Sequence, residues 1–136
     1  MSLQLKIGEV AKGAGVRVDT VRFYEREGLL PKASRSHSGY RMFTTATVER
    51  VAFVKKAKAL GFTLEEIADI LRSIERGAVD YANGRTRLLR VLARIDAKVT
   101  ELQTVRRELV AVLDRFVAGH CDEMEQTAHR LAAAGR

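Results

Sequence analysis

The stretch of the 136-residue sequence best equipped for metal or redox chemistry lies near its end, in "RFVAGHCDEMEQTAH". It holds the chain's one cysteine, Cys121, beside His120, Asp122 and Glu123, with His129 further on. Thiolate, imidazole and carboxylate donors of this kind are acceptable ligands for a zinc-type ion. A thiol can also answer to an oxidant or electrophile, but only with a lowered pKa, and the adjacent Asp122 and Glu123 push the other way. The run "HCDE" sets its donors side by side, and consecutive residues on a helix do not share a face. A metal site here therefore needs an irregular loop, which Gly119 permits. An ordinary surface thiol at a frayed helix end stays open beside both readings.

A second set of chemically capable residues lies in the first third. Arg17, Thr20, Arg22 and Tyr24 fall within "RVDTVRFYEREG", and Lys32, Arg35, His37, Tyr40 and Arg41 surround Gly39. Arginine can fork onto guanine or phosphate, and Thr and Tyr hydroxyls can donate to phosphate oxygens. Arg26 reads as part of a solvated helix face, and His37 as an exposed loop residue. Asp19 is anionic, but a first-turn position suits it, because the helix dipole favours negative charge there.

The elements that must carry these groups follow from periodicity. "KIGEVAKGAG" places Ile7, Val10 and Ala11 on one helical face and stops at Gly13 and Gly15. "VRVDTVRFYEREG" is a second short helix ended by Gly28, with Val18, Val21 and Leu29 inward. So short a connection between two helices is that of a helix-turn-helix. In "LLPKASRSHSGYRMF", Pro31, the serines and Gly39 break the helical period, and the segment reads as a β-hairpin, or wing, with Gly39 at its tip. A third helix, "TTATVERVAFVKKAKALGF", starts at Thr44 or Thr45 and turns Val48, Val51, Ala52 and Ala59 inward. The fourth opens on Thr63 and Glu66, the residues of a reciprocal capping box, and carries Leu64, Ile67, Leu71 and Ile74 as its apolar stripe.

Beyond residue 77 the pattern changes. Leu88, Leu92, Ile95, Val99, Leu102, Arg106, Leu109, Leu113 and Phe116 recur at alternating steps of four and three, and only Arg106 is not apolar. This is a coiled-coil seam. A helix of this length has no core of its own, and the preceding segment is too small to cover four heptads. A homodimer, parallel or antiparallel, is expected, with Arg106 a costly member of the seam unless paired. Val91, Val105 and Val112 widen the stripe.

Charge divides the chain at the same place. The formal charge is +7, and residues 1–60 hold 12 Lys/Arg against 5 Asp/Glu, while residues 61–136 hold 12 against 12. A basic head that binds a polyanion, joined to a neutral body with another task, is the implied arrangement. A single cysteine, no signal-peptide pattern and no apolar run of about 18 residues point to a cytoplasmic protein without a membrane partner. No Ser/His/Asp set, phosphate loop or paired carboxylates suggest an enzyme. The Gly13/Gly15 pair lies between two helices and not after a strand.

Taken in order, "KIGEVAKGAGVRVDTVRFYEREGLLP", "SGYRMF" and "VAFVKKAKALGFTLEEIADIL" resemble the MerR family of bacterial transcription regulators, nearly continuously over residues 5–75. The fold implied is mostly α: a winged helix-turn-helix head at 1–77, a dimerisation helix at 78–118 forming an antiparallel coiled coil, and an effector-site tail at 119–136. The resemblance implies a homodimer on a double-stranded promoter palindrome, which it bends and untwists so that RNA polymerase can align with both promoter elements. Its DNA contacts would fall on Arg17, Thr20, Arg22 and Tyr24, and in the wing on Arg35, Tyr40 and Arg41. Many relatives place Ser, Thr or Asn where this chain has Arg17, the expected helix cap. Metal-sensing members carry two cysteines after the coiled coil and often a third at its start, where this chain has Asp80. The two-thiolate pattern is absent, which counts against copper(I) or mercury. His120, Cys121, Glu123 and His129, with Asp80 from the partner, remain candidate ligands for a harder ion. An organic ligand and an oxidant are the other effectors, and no cofactor is specified. The competing class is a DNA-architectural or excisionase-type protein with no effector, against which the long helix argues.

Overall fold

The computed structural model describes residues 4–31, 33–36, 38–119 and 123–135, except for the side chains of 123–125. Lys32, His37, His120 and Cys121 lie outside the described residues, as does the side chain of Glu123. Two compact units are present, Met1–Val91 and Leu92–Arg136. Among the described residues there are six helices and one two-stranded sheet.

The first unit begins with α1 (Ile7–Ala14) and α2 (Val18–Arg26). Between them Gly15 takes the left-handed conformation, φ 68°, and its N–H closes the end of α1 on Lys12 O at 3.3 Å. At the other end of α1, Glu9 Oε1 accepts the Lys6 N–H at 3.1 Å. The wing is a pair of antiparallel strands, β1 (Ser34–Arg35) and β2 (Arg41–Met42), in register Ser34 with Met42 and Arg35 with Arg41. Its tip turns at Gly39, φ 85°, with Ser36 N–H bonded to Tyr40 O at 2.7 Å. Leu5 extends this sheet through paired bonds to Phe43, each 2.7 Å.

Two longer helices close the core, α3 (Thr45–Ala59) and α4 (Leu64–Glu75). Val10, Val21, Leu29, Val51, Val54 and Ile67 are fully buried, with Ala11, Ala14, Phe43, Ala57 and Leu71 around them. The capping box of α4 is formed: Glu66 N–H donates to Thr63 Oγ1 and Thr63 N–H to Glu66 Oε1, each at 3.1 Å. Three inward expectations are corrected. Ala52 and Ala59 are exposed, because the buried face of α3 runs through Thr47, Val51, Val54 and Ala57, and its centre lies more than a third of a turn from either alanine. Ile74 is 49% exposed, since the last turn of α4 runs past the core that ends at Leu71.

Helix α5 (Tyr81–Val117) starts within the first unit. Asp80 caps it, accepting the Asn83 N–H at 2.6 Å and the Asn83 side-chain amide at 3.1 Å. Arg87 donates to Asp69 Oδ2 at 2.8 Å and Ser73 Oγ at 2.9 Å, and Val91 is buried in the core. Val91 is thus a head residue and not a margin of the seam. With 37 residues, α5 is about 55 Å long.

In the second unit α5 continues and α6 (Glu123–Ala134) follows. No described side chain there is buried, and Val112 alone is half-buried. No helix among the described residues is long and apolar enough to cross a membrane.

Candidate nucleic-acid interface

Helix α2 is two-sided. Val21 and Tyr24 face the core, three residues apart, while Arg17, Asp19, Arg22, Phe23 and Arg26 are exposed and Thr20 is half-buried. Arg17 is the N-cap residue and makes no side-chain cap bond, so the first turn of α2 lacks that satisfaction and its guanidinium stays outward. Arg22 lies 3.5 Å from Asp19, both well exposed, a pairing worth little and easily exchanged for a phosphate.

Tyr24 is corrected. Its ring is 5% exposed and packed in the core, 6.0 Å from the Phe23 ring, and burial pushes its phenol pKa up. The position three residues after Val21 puts it on the inner stripe, and its expected place on the outer face does not hold. Tyr24 packs the inner side of α2.

The wing presents the rest. Tyr40 is 60% exposed, with Lys6 Nζ 5.1 Å from its ring centroid, a cation–π approach that sets a second charge beside the tyrosine. Arg35 is exposed on β1, directly across from Arg41 on β2. Arg41 is not simply outward: its guanidinium pairs with Glu25 of α2. The Arg41 side chain stays 49% exposed, whereas that of Glu25 is only 14% exposed. Glu25 thereby ties the wing to the helix that would enter the groove.

Glu25, Lys6 and Lys55 escaped the reading of the sequence. Lys55 Nζ donates to Gly15 O at 2.8 Å and Arg50 Nε to Leu29 O at 2.6 Å, so both flanks of α2 are held by α3. Glu25 was the findable one. It lies four residues after Val21, on the buried side of a helix in a basic head, and such an acid needs a cation.

A helix-turn-helix, an exposed basic face on its second helix and a wing joined to that helix make a DNA-reading head. The family described as "MerR HTH family regulatory protein" matches residues 5–74, and that described as "MerR, DNA binding" matches 48–112. The chain belongs to the MerR family. It is a MerR-type DNA-binding transcription regulator. It is 42% identical over 109 residues to the mercuric resistance operon regulatory protein of Serratia marcescens, covering 78% of this chain and 74% of that one. With the protein of the same name from Bacillus cereus it shares 34% over 113 residues, 83% of this chain and 86% of the other. Its fold is similar to that of a transcription regulator from Ralstonia metallidurans in complex with lead(II). That likeness has a TM-score of 0.74 at 33% identity, and covers 81% of this chain and 86% of that one.

For the candidate effector residues this MerR-type chain shows less. Both carboxylate oxygens of Asp80 are occupied by Asn83 in capping α5. Asp80 also lines an open depression with Val79, Tyr81, Gly84, Leu88 and Leu89. His129 is exposed on α6. Among the described residues no three His, Cys, Asp or Glu side chains converge as metal ligands, and His120 and Cys121 fall outside them.

Proposed function

We propose that the protein binds a promoter palindrome as a homodimer and distorts that DNA so that RNA polymerase can engage it. In this reading residues 1–77 read DNA, 78–118 dimerise as an antiparallel coiled coil, and 119–136 carry the effector site. The contact between Arg41 and Glu25 carries the DNA half of the proposal, because it fixes the wing beside α2 and lets both address one duplex. Arg17, Thr20 and Arg22 would meet the major groove and its phosphates, and Arg35, Tyr40 and Arg41 the flanking backbone. Tyr24 is left out of this set. Leu88, Leu92, Ile95, Val99, Leu102, Leu109, Leu113 and Phe116 would form the dimer seam, and each is at least 41% exposed in the single chain.

For the effector, the named relatives favour a metal ion over an organic ligand or an oxidant. With one cysteine, the chain offers a mixed sulfur, nitrogen and oxygen set drawn from His120, Cys121, Glu123, His129 and Asp80. Such a set is acceptable to a borderline ion such as zinc(II), and it lacks the paired thiolates that favour a soft ion such as copper(I).

The DNA reading is tested by selecting a palindromic duplex from a randomised pool with the wild-type protein and measuring Arg22→Ala on it. Weaker binding with a salt dependence shallower by about one counterion is expected, and an unchanged affinity and slope would remove α2 from the interface. The effector reading is tested by thermal shifts of wild type and Cys121→Ser under reducing conditions across zinc(II), cadmium(II), lead(II) and mercury(II). Identical responses would take Cys121 out of the site.

A further inference from the structure

We infer that Glu25 is a positioning residue for DNA binding: a mostly buried carboxylate on the recognition helix that aims the wing's Arg41 at the DNA backbone. The inference rests on the head being the DNA interface. Three observations meet at this pair. One Glu25 oxygen pairs with an Arg41 amino group, while the other, Oε2, is buried without a hydrogen-bond partner. A carboxylate so placed depends on Arg41 for its compensation, and leaving it without a cation is costly. Arg41 in turn is half-exposed, so only part of its five-donor fork is spent on Glu25, and the remaining N–H groups can meet a phosphate. Finally, the β1–β2 register sets Arg35 directly opposite Arg41, and like charges across a strand pair repel. By pairing with Arg41, Glu25 offsets that repulsion on a wing only two residues long per strand.

The sign of the effect makes the role measurable. Glu25→Gln removes an anion from a head that binds a polyanion, and simple electrostatics predicts tighter binding with a steeper salt dependence. A positioning role predicts the reverse. On the selected palindrome, Glu25→Gln is expected to lose about tenfold in affinity, the size of one charge-assisted hydrogen bond. On a shuffled duplex of equal length it should bind as well as wild type or better. Arg41→Gln should show a similar specific loss, and the double variant should be no worse than Arg41→Gln alone, since the two act as one unit.

Glu25→Gln binding the palindrome as tightly as wild type, or losses that add in the double variant, would overturn the assignment. If Glu25→Gln melts below the assay temperature, the decision passes to Arg41→Lys. Lysine keeps the charge but lacks a planar fork able to hold a carboxylate and a phosphate together. Arg41→Lys should then lose most of what Arg41→Gln loses, and wild-type binding by it would equally overturn the role. Arg22→Ala on the same duplex separates the two levels: if it also binds like wild type, the interface itself has failed, and otherwise only the role of Glu25 has.

Discussion

In the head, Val10, Val21, Val51, Val54 and Ile67 are fully buried around one centre, and helix ends are closed by Glu9, Gly15 and the Thr63/Glu66 box. In residues 92–135 no described side chain is buried, and Ile95, Val99, Leu102, Leu109 and Leu113 line an open face of α5. Both regions carry ample apolar surface. The difference is one of geometry: four short helices and a wing can surround a centre, whereas a helix of about 55 Å cannot fold onto itself. Stability in the first region is therefore a property of the chain, and in the second, on the proposed dimer, it would be a property of concentration.

The sharpest way to break that contrast is Leu102→Glu. Two such carboxylates in the seam of a dimer cost about 3 kcal/mol or more. The expected result is a monomer by sedimentation at micromolar concentration, with the palindrome bound at least about a hundredfold more weakly and the melting of the head unchanged. A dimer that survives would remove α5 from the assembly. Next in size is a paired truncation. Ile67→Ala should destabilise the head by about 2–5 kcal/mol in thermal or denaturant unfolding. Leu113→Ala in the monomeric Leu102→Glu background should change stability by less than about 0.5 kcal/mol. Equal costs would mean that residues 92–135 have a core of their own.

Smaller effects sharpen the head itself. Arg17→Asn supplies the cap that α2 lacks, and should stabilise the head by about 1 kcal/mol while weakening palindrome binding severalfold. Greater stability with unchanged binding would make Arg17 only a poor cap. Tyr24→Phe keeps the buried ring and should bind DNA within about twofold of wild type. A tenfold loss measured by fluorescence anisotropy would return its hydroxyl to the interface.

Periodicity and glycine placement made the head and the α5 seam legible: α1, α2, the wing turn at Gly39, the Thr63 box and the α5 heptads all have local signals in the sequence. The misplacements have separate causes. Ala52 and Ala59 are too small to declare a face, so the choice between them and Ala57 was made by how α3 packs on α1. Tyr24 is amphipathic, and its polar end drew it towards the DNA face although its spacing from Val21 places it inside. The Arg41–Glu25 pair joins residues of two different elements: the spacing of Glu25 from Val21 announces the need for a cation, but no local pattern names Arg41. In the tail the limit is chemical. Cys121, with His120 beside it, could be read as ligand, sensor or bystander, because ligand sets are assembled in space and often between subunits.

The ties from α3 to the two ends of α2 bear on how strongly the head can grip a duplex. Lys55 is spent on the Gly15 carbonyl, and Arg50 on the Leu29 carbonyl and on Glu75. Arg50, its charge paired with Glu75, acts as scaffolding, whereas the Gly15 carbonyl takes one of the three donors of Lys55 and does not compensate its charge. The valence the protein offers to DNA is accordingly smaller than its formal charge of +7 suggests. The number of counterions released on binding should follow the exposed cations on and beside α2 and the wing, and not the lysine and arginine count of the whole head.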